Sequence, residues 1–147
     1  HSKIVCIVHQ ILQVVGNVLN KLELLAYDQN ADVVAVSEHW RSLEELSCYK
    51  LDGYELVSTF YREHGEHGGT AIYGREDYVC TERLDLSSLS VPKVFESSAD
   101  PQMILNSTNK IIIVCIYRPE TPPLADVEVF LEKLTSSYKS ACWIWRK

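Results

Sequence analysis

The chain has 147 residues, 46% of them hydrophobic and 23% charged, which suits a single globular domain with its own core and leaves little room for a second. A formal net charge of −6 excludes the basic footprint by which a free-standing nucleic-acid binder neutralises phosphates, although an enzyme that grips a few phosphates through a metal needs no such surplus. No apolar run reaches the roughly 20 residues that span a bilayer, and five scattered cysteines without a Cys-x-x-Cys pair point to a reducing, intracellular setting, nuclear or cytoplasmic, rather than to disulfides or zinc.

From the amino terminus, Lys3 to Val8 is a short β-branched apolar run, which predicts a strand buried on both faces. Val15, Val18, Leu19, Leu22, Leu25 and Ala26 recur at spacings of three and four and describe one face of a helix. After Asn30-Ala31 breaks that pattern, Asp32 to Ser37 reads as a second buried strand. Strand, helix, strand within forty residues is the unit that makes a parallel pair with a crossover.

A short helix is expected over Leu43 to Tyr49 and an alternating strand over Tyr54 to Tyr61. The polar, glycine-rich stretch from Arg62 to Gly69 turns the chain, and Thr70 to Gly74 returns as the second arm of a hairpin. Gly68-Gly69 would let that hairpin turn and let backbones approach closely. Tyr78 to Leu84 and Val94 to Ser97 are weaker strand signals, separated by a serine-rich loop from Asp85 to Pro92. Ile111 to Tyr117 is the strongest strand signal in the chain, stopped by Arg118-Pro119. Thr121-Pro122-Pro123 then opens a helix whose apolar face is Leu124, Val127, Phe130, Leu131, Leu134 and Tyr138. Ala141 to Trp145 is the next strand. No repeat or linker divides the chain, so residues 1–147 read as one domain, and the missing initiator methionine and abrupt apolar close read as the ends of a fragment.

Two strand ends carry side chains suited to chemistry. Glu38 follows the buried strand ending at Ser37, and open α/β sheets place their sites at the carboxyl ends of strands. One carboxylate with waters and a substrate phosphate is a common way to hold Mg²⁺. A glutamate there also caps helices or simply faces water, and spacing alone favours that. Tyr117 ends the strongest strand in the same way, where its hydroxyl could orient a phosphate oxygen beside the forked donors of Arg118. Taken alone, that pair reads equally as a rim aromatic beside a solvated arginine. His64 and His67, three apart on the glycine-rich turn, have metal-like spacing on a segment that does not preorganise ligands.

The order of elements adds to this. Ser37-Glu38-His39-Trp40, then Asp52-Gly53-Tyr54, then Gly68-Gly69-Thr70-Ala71-Ile72-Tyr73, then Ile113-Val114-Cys115-Ile116-Tyr117-Arg118-Pro119 form a succession that resembles the endonuclease/exonuclease/phosphatase superfamily, most closely the endonuclease domain of non-LTR retrotransposons. The resemblance runs from about Ile4 to the end of the chain. It implies an α/β sandwich of two sheets with helices outside, here C-terminally truncated, and hydrolysis of phosphodiesters with Mg²⁺ or Mn²⁺. By the same resemblance DNA is the partner, Glu38 the metal ligand, Tyr117 the catalytic contact to the scissile phosphate and Arg118 a weaker phosphate contact.

Two departures accompany it. Retrotransposon members carry His-Gln-Asn at the end of the first strand, and here the string is His9-Gln10-Ile11, with Gln10 and Gln13 expected to point elsewhere. The family's Gly-Asp-x-Asn string and its terminal Ser-Asp-His string have no counterpart, Cys142 to Lys147 standing where the first is due, so no residue of this chain takes the place of the general base. The resemblance therefore implies phosphodiesterase ancestry without catalytic competence in these 147 residues. The remaining alternatives are a decayed or domesticated fragment with a binding role, and an unrelated small α/β binding module.

Overall fold

Val33–Ser37 is a run of small and β-branched side chains with no polar face to offer water. In the computed structural model of the chain it forms strand β2, every residue of which is buried. The structure describes residues 5–11, 18–37, 39–61, 68–78, 96–104, 110–117 and 141–146, together with Ala125, Glu128 and Glu132.

Around β2 the first sheet has the order β1-β2-β4-β3. Strand β1 (Ile7–Ile11) pairs parallel to β2, from Ile7 opposite Val33 to Ile11 opposite Ser37, and helix α1 (Val18–Asp28) lies between them in the chain, as the strand–helix–strand pattern requires. On the other side of β2 runs β4 (Thr70–Arg75), antiparallel, and β3 (Tyr54–Phe60) pairs antiparallel to β4 with a register shift between Leu56 and Ser58. The short helix α2 (Leu43–Cys48) stands between β2 and β3, opened by a capping box in which Ser42 and Glu45 satisfy each other's backbone amides.

The second sheet has the order β5-β6-β7, built from β5 (Glu96–Ile104), β6 (Lys110–Tyr117) and β7 (Ala141–Arg146). Strands β5 and β6 are antiparallel, and β6 and β7 are parallel. Of the residues between those two, Ala125, Glu128 and Glu132 are helical and exposed, while the apolar positions expected on that helix lie outside the described residues, as does the loop expected from Asp85 to Pro92.

Strand alternation divides the core in two. Val34 and Val36 face α1, where they cluster with Val8, Leu22, Ala26, Ala71 and Tyr73. Val33 and Ala35 face the other way and, with Ile72, meet Ile113 and Cys115 of β6. The central strand of one sheet is thereby packed on the second sheet through one face and on a helix through the other.

Three expectations are corrected by this arrangement. The first strand is not buried on both faces: β1 is an edge strand running on to Ile11, and only Val8 within it is buried. The buried stripe of α1 is narrower than its spacing suggested, with Leu22 and Ala26 sealed but Leu25 and its neighbour Leu24 exposed. The weak signal at Val94 to Ser97 is a nine-residue strand, β5, whose register shifts between Asp100 and Met103. That shift brackets Pro101, which lacks the N–H a regular ladder needs and is tolerated at a bulge in an edge strand.

At the amino-terminal end of β2, Asp32 ties the first sheet together. Its carboxylate accepts from the Cys6 amide at 2.9 Å and from the Tyr78 hydroxyl at 2.6 Å, with the Arg75 guanidinium at 3.6 Å. Among the described residues, no helix is long and apolar enough to cross a membrane.

Candidate functional site at the ends of β2 and β6

The opposite end of β2 is Ser37, the residue that precedes Glu38 in the chain. Across the first sheet, Ile11, Ser37 and Thr70 stand side by side on β1, β2 and β4. By alternation they share the face of Ile7, Val33 and Ile72, which is the face turned to the second sheet. Ser37 and Thr70 are fully buried there. One step inward, His9 reaches along the same face, and its Nε2 lies 3.2 Å from Ser37 Oγ. Thr70 Oγ1 is buried and, among the described residues, has no hydrogen-bond partner, an arrangement that leaves a hydroxyl desolvated beside Ser37.

Strand β6 approaches this row from the second sheet. The Cys115 thiol donates to the Val36 carbonyl across 3.8 Å, which ties β6 to β2 one residue before Ser37. Burial pushes the Cys115 thiol up to about 12, so it stays protonated and chemically inert. Tyr117 follows Cys115 by two residues, leaves the strand on the same face, and is half-buried at the strand end, opposite Glu96 of β5 and Arg146 of β7.

Glu38 and Arg118, the other two expected site residues, lie outside the described residues, as do His64 and His67. The two flanks of Glu38 are described, and both are held. Ser37 is held by the β-ladder and by His9. His39 is buried, with Nε2–H donating to the Phe60 carbonyl at 2.9 Å and Nδ1 accepting from the Arg41 amide at 3.0 Å. Those two contacts specify the neutral, Nε2-protonated ring. Burial holds its pKa below the usual 6.5, and the carbonyl contacts at Phe60 and Thr70 offset only part of that. With both nitrogens engaged, His39 is in no position to take a proton from a substrate water.

The ring rests on Gly69, where an added Cβ would lie 2.4 Å from Nε2. Gly68 and Gly69 have φ of +111° and +90°, and the pair serves a close approach, of Gly69 to the histidine ring and of Gly68 to the backbone of Trp40. The following residue, Trp40, sits at φ +54°, a conformation costly for a bulky side chain, and its amide donates to the Gly68 carbonyl at 3.0 Å.

Gln10 does not stand in for the asparagine that the resemblance implies at Ile11. It is exposed and turned to the α1 side, beside Lys21, Leu22 and Leu25, as strand alternation expects.

Among the described residues no three His, Cys, Asp or Glu side chains come together to cage a metal. The strand end offers instead hard oxygen donors, the hydroxyls of the strand partners Ser37 and Thr70, the first of which immediately precedes Glu38 in the chain. One carboxylate with hydroxyls and water fits Mg²⁺ or Mn²⁺, which keep most of their hydration, and does not fit zinc. Far from this row, at the other end of the first sheet, Glu23, Asp28, Asp52, Glu76 and Asp77 line an acidic groove around Arg75.

Sequence reading missed the His9–Ser37 contact, the orphaned Thr70 hydroxyl and the lock at His39. Register across β1, β2 and β4 shows the first two, and no local string encodes register. The third had one trace in the sequence, the Gly68-Gly69 pair, whose partner is 30 residues earlier in the chain.

Two solved structures are similar to the chain along most of its length. The endonuclease domain of TRAS1, a telomere-specific non-LTR retrotransposon, matches with a TM-score of 0.63 at 12% identity, over 93% of this chain and 56% of that one. The AP endonuclease LMAP from Leishmania major matches with a TM-score of 0.50 at 13% identity, over 89% of this chain and 45% of that one. Both have folds of the endonuclease/exonuclease/phosphatase type, and the chain shares that α/β fold. It spans about half the length of each. No family model and no curated protein matches the chain.

Proposed function

We propose that the chain carries the front portion of a metal-dependent phosphodiesterase site of the DNA endonuclease type, laid across the ends of β2 and β6. On this reading the four-stranded and three-stranded sheets are the two layers of the family's sandwich. Glu38 is the metal ligand, Tyr117 orients the scissile phosphate, and Arg118 neutralises one of its oxygens. A bound Mg²⁺ or Mn²⁺ supplies positive charge against the negative charge that builds on the phosphate in the transition state.

The observation that carries the reading is the contact of Cys115 Sγ with the Val36 carbonyl at 3.8 Å. It joins the two strands that run on into Tyr117 and Glu38. The fold shared with two endonucleases supports the same assignment.

Catalysis is a separate matter. Among the described residues, His9 is engaged with Ser37 and His39 is neutral and engaged on both nitrogens, so neither is set to act as a general base. Loss of a general base removes about 10²- to 10⁴-fold in rate. Ile11, paired with Ser37 on the face of the candidate site, favours a second reading, in which the site is retained for binding or has decayed.

Supercoiled plasmid incubated with the purified chain in Mg²⁺ or Mn²⁺ tests the proposal. No nicking above buffer is expected, together with weak Mn²⁺ binding that disappears in Glu38→Ala. Nicking that depends on Glu38 would show that a base is present, and Mn²⁺ binding indifferent to Glu38 would remove the site.

A further inference from the structure

The strand edges of the two sheets are not alike. β5 packs against β3 and β4, and β6 against β4 and β2, so the edges β3 and β5 lie on one side of the stacked sheets and β1 and β7 on the other. On the first side the edges are guarded: β3 carries Glu55 and a register shift, and β5 carries Glu96, Asp100, Pro101 and a shift of its own. Charges, prolines and bulges keep a strand edge from pairing with another chain. The second side lacks them. β7 is uncharged from Ala141 to Trp145, and Ile7–Ile11 holds neither charge nor proline and keeps a regular register with β2. Among the described residues, β2 is the only strand that β1 pairs with.

The inner side of β1 sets the phase of its outer side. The Cys6 carbonyl accepts from the Val33 amide at 3.2 Å, so the peptide groups of Val8 and Gln10 point to β2 and those of Ile7, His9 and Ile11 point away from it. Ile7 and Ile11 also place their side chains on the face of the second sheet, where both are half-buried. On the α1 face Gln10 is exposed, beside a Leu25 that is itself 39% exposed.

We propose that β1 is a self-association edge, along which two copies of the chain pair antiparallel about a two-fold axis at His9 and join their four-stranded sheets into one. Isoleucine stands at equal distance on either side of His9. In this register Ile7 faces Ile11 of the second copy and exchanges both N–H···O=C bonds with it, and Ile11 does the same with Ile7 of the second copy. Their side chains meet on one face as aliphatic cross-strand pairs, while Val8 meets Gln10 of the second copy on the other. His9 keeps its ring on Ser37, and the isoleucines carry the pairing. A slip of one residue would set outward peptide groups against inward ones, so the register is specific. The charge balance favours a second copy here over other faces: a chain of net charge −6 repels its copy least where neither edge carries a charge. An edge of 5 residues at about 3.4 Å each, some 25 Å deep across sheets and helix, buries roughly 400 Å² per copy, which makes the pair weak and reversible.

Sedimentation equilibrium of the full chain is the test, and a closed monomer–dimer equilibrium with a dissociation constant on the order of tens of micromolar is expected. Ile11→Pro removes an outward N–H and spares the ladder to β2, and Gln10→Lys sets a charge at an exposed edge position. Each is expected to weaken the dimer by about tenfold or more with the fold intact by amide dispersion, whereas Tyr27→Lys, on the exposed face of α1, stays within about twofold of wild type. In a mixture of isotope-labelled and unlabelled chain, the methyls of Ile7 and Ile11 are expected to show contacts between copies. Should Ile11→Pro fail to fold, Gln10→Lys and the methyl contacts decide alone. A chain that stays monomeric overturns the proposal, as does growth beyond the dimer. So does a dimer that survives Gln10→Lys, that is lost in Tyr27→Lys, or that shows no contact between Ile7 and Ile11 of different copies.

Discussion

A methyl group added at Gly69 would stand 2.4 Å from His39 Nε2, whereas one added at Gly53 would meet nothing within 4 Å, although the two glycines have φ of +90° and +80°. The pair separates backbone conformation from steric conflict. Gly53→Ala is expected to cost about 1–2 kcal/mol, the penalty of a left-handed alanine, and Gly69→Ala about 1–3 kcal/mol more from displacing the ring. Urea denaturation measures both, and equal losses would mean that the ring moves aside freely. His39 carries its own signature in pH. Its folded pKa lies below 6.5, so stability is complete above pH 6.5, where folded and unfolded chains are both neutral at this site. As pH falls below that value the unfolded chain takes up a proton that the folded chain refuses until its own lower pKa is passed. Across that window stability is expected to fall by up to about 1.4 kcal/mol per pH unit. His39→Gln should remove this component, seen as a shallower loss of thermal midpoint between pH 7 and pH 5 than wild type shows. Neither residue's role could be read from its neighbours in sequence, because Gly69 and His39 meet only when β3 and β4 close on the end of β2.

Strands and helices were more legible than side-chain roles, and each exception has a physical reason. Val33–Ser37 and the run ending in Tyr117 were readable because strands buried by tertiary packing lose their polar residues altogether. Strand β5 was all but invisible: Glu96–Ile104 carries two serines, two acids and a proline, and it is a strand because β6 supplies the ladder. The edge position of β1 was equally hidden, since an edge strand that still packs one face on a core can look as apolar as a central one. The contact between β2 and β6 gives an element-scale test. Cys115 is fully buried beneath β2, whereas Cys48 at the end of α2 is exposed. With a thiol reagent under native conditions Cys48 is expected to react at once and Cys115 only at the rate of unfolding, read by peptide mass analysis. Fast labelling of Cys115 in the folded chain would mean that the two sheets part readily.

At the scale of the whole molecule, the first strand–helix–strand unit with its parallel pair and the hairpin were anticipated from patterning, and the strands Ile111 to Tyr117 and Ala141 to Trp145 as elements, without their parallel pairing. The ordering of motifs pointed to the endonuclease-type fold that the solved structures share. What patterning left open is how strand ends converge, which depends on packing between sheets and on register rather than on any local string. The row of Ile11, Ser37 and Thr70 beneath the end of β6 gives the candidate site a polar floor with one apolar gap. If the proposed site is real, Ile11→Asn, which places there the asparagine that the sequence resemblance implies, is expected to strengthen Glu38-dependent Mn²⁺ binding by about tenfold or less, the scale of one ligand-orienting contact, with no change in Glu38→Ala. No change in either background would place Ile11 outside the site.

The proposed convergence of Glu38 and Tyr117 on one cation site is tested most directly by amide resonance broadening of the full chain with substoichiometric Mn²⁺. Broadening is expected to be strongest at Ser37, His39, Thr70 and Tyr117, and to vanish in Glu38→Ala. Sharp resonances at Ser37 and Tyr117, with the loss confined to the groove of Asp28, Asp52, Glu76 and Asp77, would contradict it.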